Sequence, residues 1–141
     1  MLNHKLQLYN VRDWGDLSTA HTGGEIMFND NTIITVDKIL FDTGALTNNF
    51  ISRDLFESFE SRVPDIDVKK INMIIGFADK TSSMKCDKLV RLKLRFKEEG
   101  NDTITFYEGI FVVADMGNND IIIGLPAILV KLWNYFLYVL K

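Results

Sequence analysis

A chain of 141 residues with 47% hydrophobic and 25% charged positions has the size and makeup of one globular domain. It is too short for two ordinary domains and too apolar to remain disordered. The net charge of −3, and the lack of any contiguous run of Lys or Arg, argue against a direct nucleic-acid partner.

The pair Lys69-Lys70 reads as a solvated strand edge rather than a phosphate contact. One cysteine, Cys86, excludes an internal disulfide and fits a reducing compartment. With only His4 and His21 beside it, no metal site of zinc spacing is expected. Met1 to Leu6 shows no basic segment leading into an apolar one, so no signal peptide is expected. Asn101-Asp102-Thr103 matches a glycosylation sequon but reads as turn chemistry.

Residues 1–23 are polar and mixed and end in a Ser, Thr and Gly cluster, which predicts a leader or linker ahead of a domain over 24–141. Ile26-Met27-Phe28, the turn Asn29-Asp30-Asn31 and Thr32 to Val36 predict a β-hairpin. Asp37-Lys38 suggests a short turn before Ile39-Leu40-Phe41, which runs into Asp42-Thr43-Gly44-Ala45. Asn49-Phe50-Ile51 forms a brief strand, and Ser52 then caps a helix from Arg53 to about Phe59 with Leu55, Phe56 and Phe59 on one face.

A long strand is expected over Ile66 to Phe77, then a polar loop, an alternating strand over Met84 to Phe96, and a further strand over Thr103 to Ala114. After Asp120, the apolar run Ile121-Ile122-Ile123 ends in Gly124. Pro126 then opens a C-terminal helix carrying Ile128, Leu129, Leu132, Trp133, Phe136, Leu137 and Leu140. Ile121 to Leu140 is about long enough to cross a bilayer, but Gly124, Pro126, Lys131 and Asn134 argue for a buried strand and helix instead. Val130, Tyr135, Tyr138 and Val139 make that helix apolar all round. Its cover is its own sheet, a second protomer or the rest of a polyprotein, and the last two are favoured because one small sheet cannot reach every face. The chain as a whole reads as mostly β.

Two features carry chemistry: an apolar strand ending in Asp42-Thr43-Gly44-Ala45, and a second, Ile121-Ile122-Ile123, ending in Gly124 before a helix. At this pair the sequence resembles the retropepsin family, the aspartic proteases of retroviruses and LTR retrotransposons, over Glu25 to Lys131. Asn49-Phe50-Ile51-Ser52 is similar to the segment after the catalytic turn in gypsy-type members, one residue further along. Phe77 to Thr81 stands where the family places its flap. The resemblance implies a retropepsin-like closed acid-protease β-barrel with one short internal helix and a C-terminal helix, in which the two motif strands lie side by side beneath the active site.

The resemblance also implies roles. Hydrolysing a peptide by general acid–base catalysis of this kind needs one carboxyl to give a proton and another to take one, and two carboxyls about 3 Å apart share a single proton. The chain has one Asp-Thr-Gly, so a second Asp42 would come from an identical subunit about a two-fold axis. Thr43 would reach across that dimer, while Gly44 and Ala45 leave room for the substrate backbone. Gly124, with Ile123 before it, would pack behind the catalytic turn. The flap segment Phe77, Ala78, Asp79 and Lys80 would close over substrate through its backbone, with the Asp79 and Lys80 side chains serving loop solubility.

The implied activity is homodimeric endopeptidase cleavage of a retroelement polyprotein, in the cytoplasm or a virus-like particle. It needs no cofactor or metal and has neither nucleic acid nor membrane as direct partner. The sequence departs from the family at Leu46, where an acidic residue or Ser/Thr is common and for which Thr47 or Asn48 are the available substitutes. It departs again at Asp79-Lys80, where a turn Gly is common, and its ending offers no obvious β-strand to tie a dimer. Two other readings stand beside this one: an inert retropepsin-fold module for dimerisation or peptide binding, and a small β-domain in which Asp42 marks only a surface turn.

Overall fold

Alternation along the strands decides the architecture. The computed structural model describes residues 19–76 and 83–140. Within them lie β1 (Thr19–Met27), β2 (Ile33–Asp42), β3 (Asn49–Ser52), α1 (Arg53–Glu60), β4 (Val68–Gly76), β5 (Ser83–Lys97), β6 (Ile104–Ala114), β7 (Ile121–Gly124), α2 (Leu125–Val130) and α3 (Trp133–Leu140). The strands form one sheet in the order β1-β2-β7-β3-β6-β5-β4, and β1 pairs again with β5, so six strands make a ring with β4 outside it. Lys69 and Lys70 are exposed on that outer strand. Among the described residues no helix is long and apolar enough to cross a membrane.

The hairpin read around Asn29-Asp30-Asn31 is present. Asn31 takes φ 69°, a conformation that Asn tolerates better than most residues, and Asp30 Oδ1 accepts the Thr32 N–H at 3.0 Å. Ser52 caps α1 by accepting the Leu55 N–H at 3.1 Å, and Phe56 and Phe59 on the buried face enter the core.

Three local expectations differ. β1 starts at Thr19, inside the stretch read as leader, because Thr19 to Thr22 pair with Asp42 to Ile39 and Ala20 is buried. Residues 1–18 lie outside the described residues. Asp37-Lys38 is no turn: β2 runs through it, and the two residues stand opposite Gly23 alone as a bulge between the pairs Thr22–Ile39 and Gly24–Val36. The single C-terminal helix is two. Lys131, at φ −122° and ψ −26°, ends α2; the N–H groups of Lys131 and Leu132 both donate to Ala127 O at 2.9 and 3.0 Å, and α3 then restarts. The break turns buried Leu132, Tyr135 and Phe136 into the core, where Phe41 meets Phe96, Tyr135 and Phe136 at centroid distances of 5.6, 5.8 and 6.2 Å. Their own sheet therefore covers one side of these helices, and Leu129, Val130, Trp133 and Leu137 remain exposed.

β2 and β7 are apolar at successive positions because both of their faces are covered. Ile39, Phe41, Ile121 and Ile123 feed the main core. Leu40 and Ile122 feed a second cluster with Ala45, Phe50, Cys86, Val112 and Ala114, against which Met73, Ile75 and Met84 of the β4–β5 hairpin pack. Asp42 follows Leu40 by two residues along β2, which places it on the same face as this second cluster.

Candidate active site

β2 delivers Asp42 at its last position, and β7 runs parallel beside it in the register Ile39–Ile121, Leu40–Ile122, Phe41–Ile123 and Asp42–Gly124. The two motif strands are thus neighbours, and the motif residues Asp42 and Gly124 stand opposite each other. β3 lies against the other edge of β7, with Phe50 opposite Ile122 and Ile51 opposite Ile121.

The chain turns immediately after Asp42. Ala45 N–H donates to Asp42 O at 3.0 Å, and Gly44 N–H donates to Asp42 Oδ1 at 2.9 Å. An Asp at the first position of a turn that accepts the amide two residues on is ordinary turn chemistry. Here it also fixes the direction of the carboxylate. Ala45 O then accepts the Leu125 N–H at 2.8 Å, tying the turn to the start of α2.

Gly124 has no room for a side chain. A Cβ there would lie 2.3 Å from Asn48 O and 2.8 Å from Ala45 O, both backbone atoms. The packing role expected of Gly124 therefore has a direct geometric counterpart.

Asp42 is the only fully buried carboxylate among the described residues, at 0% exposure, with Gly44 and Ala45 buried beside it and Thr43 half-buried. Other acidic groups lie nearer water. Asp115 holds Arg53 at 3.0 Å, Asp67 sits 3.5 Å from Arg91, and Glu25 lies 2.6 Å from Arg95. Burying a carboxylate costs several kcal/mol unless fixed partners offset it. A buried acid held on a tight turn opposite Gly124 is accordingly a candidate for chemistry.

Of the residues expected at the site, Asp42, Thr43, Gly44, Ala45, Ile123 and Gly124 come together. Phe77, Ala78, Asp79 and Lys80 lie outside the described residues, but the hairpin arms that lead to them pair as far as Gly76–Ser83. Leu46 is 64% exposed. Thr47 and Asn48, the substitutes considered for it, bond to each other, with Asn48 Nδ2 donating to Thr47 Oγ1 at 2.8 Å.

The residue that sequence reasoning missed is Asn49, read only as the start of a strand. Its side chain is buried, Oδ1 accepts the Gly124 N–H at 2.8 Å, and Nδ2 donates to Tyr107 Oη at 2.8 Å. The available signal was a polar residue opening the otherwise apolar run Phe50-Ile51. A concavity of about 280 Å3 opens beside this network, lined by Thr47, Asn48, Asn49, Met73, Tyr107 and Pro126 among others, and Asp42 is not among its walls. Comparison with protein-family models, with curated proteins and with solved structures finds no match to this chain.

Proposed function

We propose that the chain is one half of a retropepsin-like aspartic endopeptidase, whose fold is that family's closed acid-protease barrel and whose active form is a homodimer. The observation that carries the reading is the buried Asp42 on a turn locked to Gly124 of the adjacent parallel strand. The ring of six strands and the hairpin packed on the Asp42 face of β2 support it.

One chain supplies one carboxyl, and the chemistry needs two. Two copies of Asp42 about a two-fold axis share one proton and hold a water between them. The ionised carboxylate takes a proton from the water as its oxygen bonds to the scissile carbonyl carbon. The protonated partner gives its proton to the carbonyl oxygen, leaving a neutral gem-diol. Proton transfer to the amide nitrogen then lets the C–N bond break, producing a carboxylic acid and an amine. Substrate lies extended between hairpin and dyad as an added strand. A retroelement polyprotein, met in the cytoplasm or a virus-like particle, is the substrate class proposed from the motif resemblance.

The test is cleavage of an unbiased peptide mixture by the purified chain. Activity rising with the square of protein concentration in the dilute range, a mildly acidic optimum and complete loss in Asp42→Asn are expected. A dimer that binds peptides and never cuts them favours the inert module. A monomer that persists at high concentration sinks both readings.

A further inference from the structure

We propose that Asn49 is the positioning residue of this site: its side chain holds Gly124 in register with Asp42, and Tyr107, lying across Gly109, sets the orientation of the Asn49 amide. The inference rests on reading Asp42 as the reacting carboxyl, although the contacts behind it do not.

Asn49 opens β3 beside Phe111 of β6, and Phe50 after it stands opposite Ile122 of β7. Its amide is therefore positioned to bridge two strands. Oδ1 accepts the Gly124 N–H at 2.8 Å, while Nδ2 donates to Tyr107 Oη at 2.8 Å and approaches Ile110 O at 3.4 Å. Only one orientation of the amide works. Turned over, it would face its NH2 to the Gly124 N–H and its oxygen to the Ile110 carbonyl, donor against donor and acceptor against acceptor.

Gly124 and Leu125 donate consecutive amides to Asn49 Oδ1 and Ala45 O. The loop from Asp42 to Asn49 is thus clamped at its middle and its far end on two adjacent peptide groups, with the reacting carboxyl at its start.

Gly109 explains how Tyr107 reaches this place. The two residues share a face of β6, and a Cβ at 109 would lie 2.2 Å from the Tyr107 hydroxyl oxygen and 2.5 Å from Cζ. The tyrosine hydroxyl occupies the space that any other residue at 109 would fill. Asp42, Asn49 and Ser52 are the buried polar or charged residues of the described chain, and the first two both border Gly124, Asp42 by strand register and Asn49 by its hydrogen bond. Buried networks of this kind are costly when one member is removed, because the partners left behind lose their only bonds.

The experiment compares Asn49→Ala, Asn49→Asp and Tyr107→Phe with the parent chain. It measures amide hydrogen exchange at Gly124, the NMR titration of the Asp42 carboxyl, and kcat and KM on a cleaved peptide. In Asn49→Ala the Gly124 amide is expected to exchange about tenfold faster or more, and kcat to fall by about tenfold or more with KM little changed. Asn49→Asp keeps an acceptor for that amide and should restore its protection. The added negative charge should move the Asp42 titration, and the acid limb of the pH–rate profile with it, upward. Tyr107→Phe should shift exchange and kcat in the direction of Asn49→Ala by a smaller factor.

Unchanged Gly124 exchange in Asn49→Ala overturns the proposal, as does an unchanged Asp42 titration in Asn49→Asp or a fall in melting temperature alone in Asn49→Ala with kcat intact. If Asn49→Ala fails to fold, Tyr107→Phe and Asn49→Asp decide by the same readouts. A parent chain that never cuts peptide defeats the protease reading, and exchange and titration still decide the role of Asn49.

Discussion

Gly124→Ala is the most direct challenge to the geometry of the site. The added methyl would sit 2.3 Å from Asn48 O, 2.8 Å from Ala45 O and 3.1 Å from Asn48 C. All three are backbone atoms, so no side chain can swing aside. Overpacking of this kind costs roughly 1–3 kcal/mol, and displacing Ala45 O endangers its bond from the Leu125 N–H, worth about 1 kcal/mol more. The expected loss is therefore about 2–4 kcal/mol, or roughly 6–20 °C in melting temperature for a domain of this size. Gly117→Ala is the control, because a Cβ at 117 meets nothing within 4 Å and φ there is not positive. That change should stay within about 0.5 kcal/mol of the parent or stabilise it slightly. Urea denaturation of the three proteins, with peptide cleavage measured on the same samples, gives both quantities. Parent-like stability and activity in Gly124→Ala would refute the tight junction and, with it, the way Asp42 is held.

Alkaline pH should destabilise the fold. Burial pushes the Cys86 thiol above its ordinary value of 9.0 and the Tyr107 and Tyr135 hydroxyls above their ordinary 10.0. The folded chain then keeps protons that the unfolded chain releases, so this contribution is complete below those values and is lost as pH climbs through and past them. The urea midpoint should be level up to about pH 9 and fall beyond it; a midpoint that rises there contradicts the assignment. A second expectation concerns ring closure. Glu25 and Arg95 face each other across the β1–β5 seam at 2.6 Å, with side chains 26% and 21% exposed. A double-mutant cycle to Ala should return a coupling of about 1 kcal/mol, the upper end for such pairs, and zero coupling would show the seam closed by backbone pairing alone.

The amino-acid sequence was sufficient wherever a few adjacent residues decide the outcome. Asn29-Asp30-Asn31 specifies a turn, Ser52 a cap and the spacing of Leu55, Phe56 and Phe59 a helical face, because side-chain bonds and local periodicity act within a single turn of chain. The motif pair Asp42-Thr43-Gly44 and Ile123-Gly124 was legible for the same reason, being two short words at the ends of apolar runs. The tertiary structure decided the rest. Thr19 to Thr22 became strand only because β2 offered partners, and Asp37-Lys38 became a bulge because β1 has one residue where β2 has two. The C-terminal helix breaks at Lys131 and sends Leu132, Tyr135 and Phe136 to Phe41 and Phe96, which periodicity alone does not foretell. Asn49 meets Tyr107 across 58 residues and Gly124 across 75. Whether a polar side chain is a surface feature or the clamp of a site depends on what the fold places opposite it, and contacts that distant leave no local pattern to read.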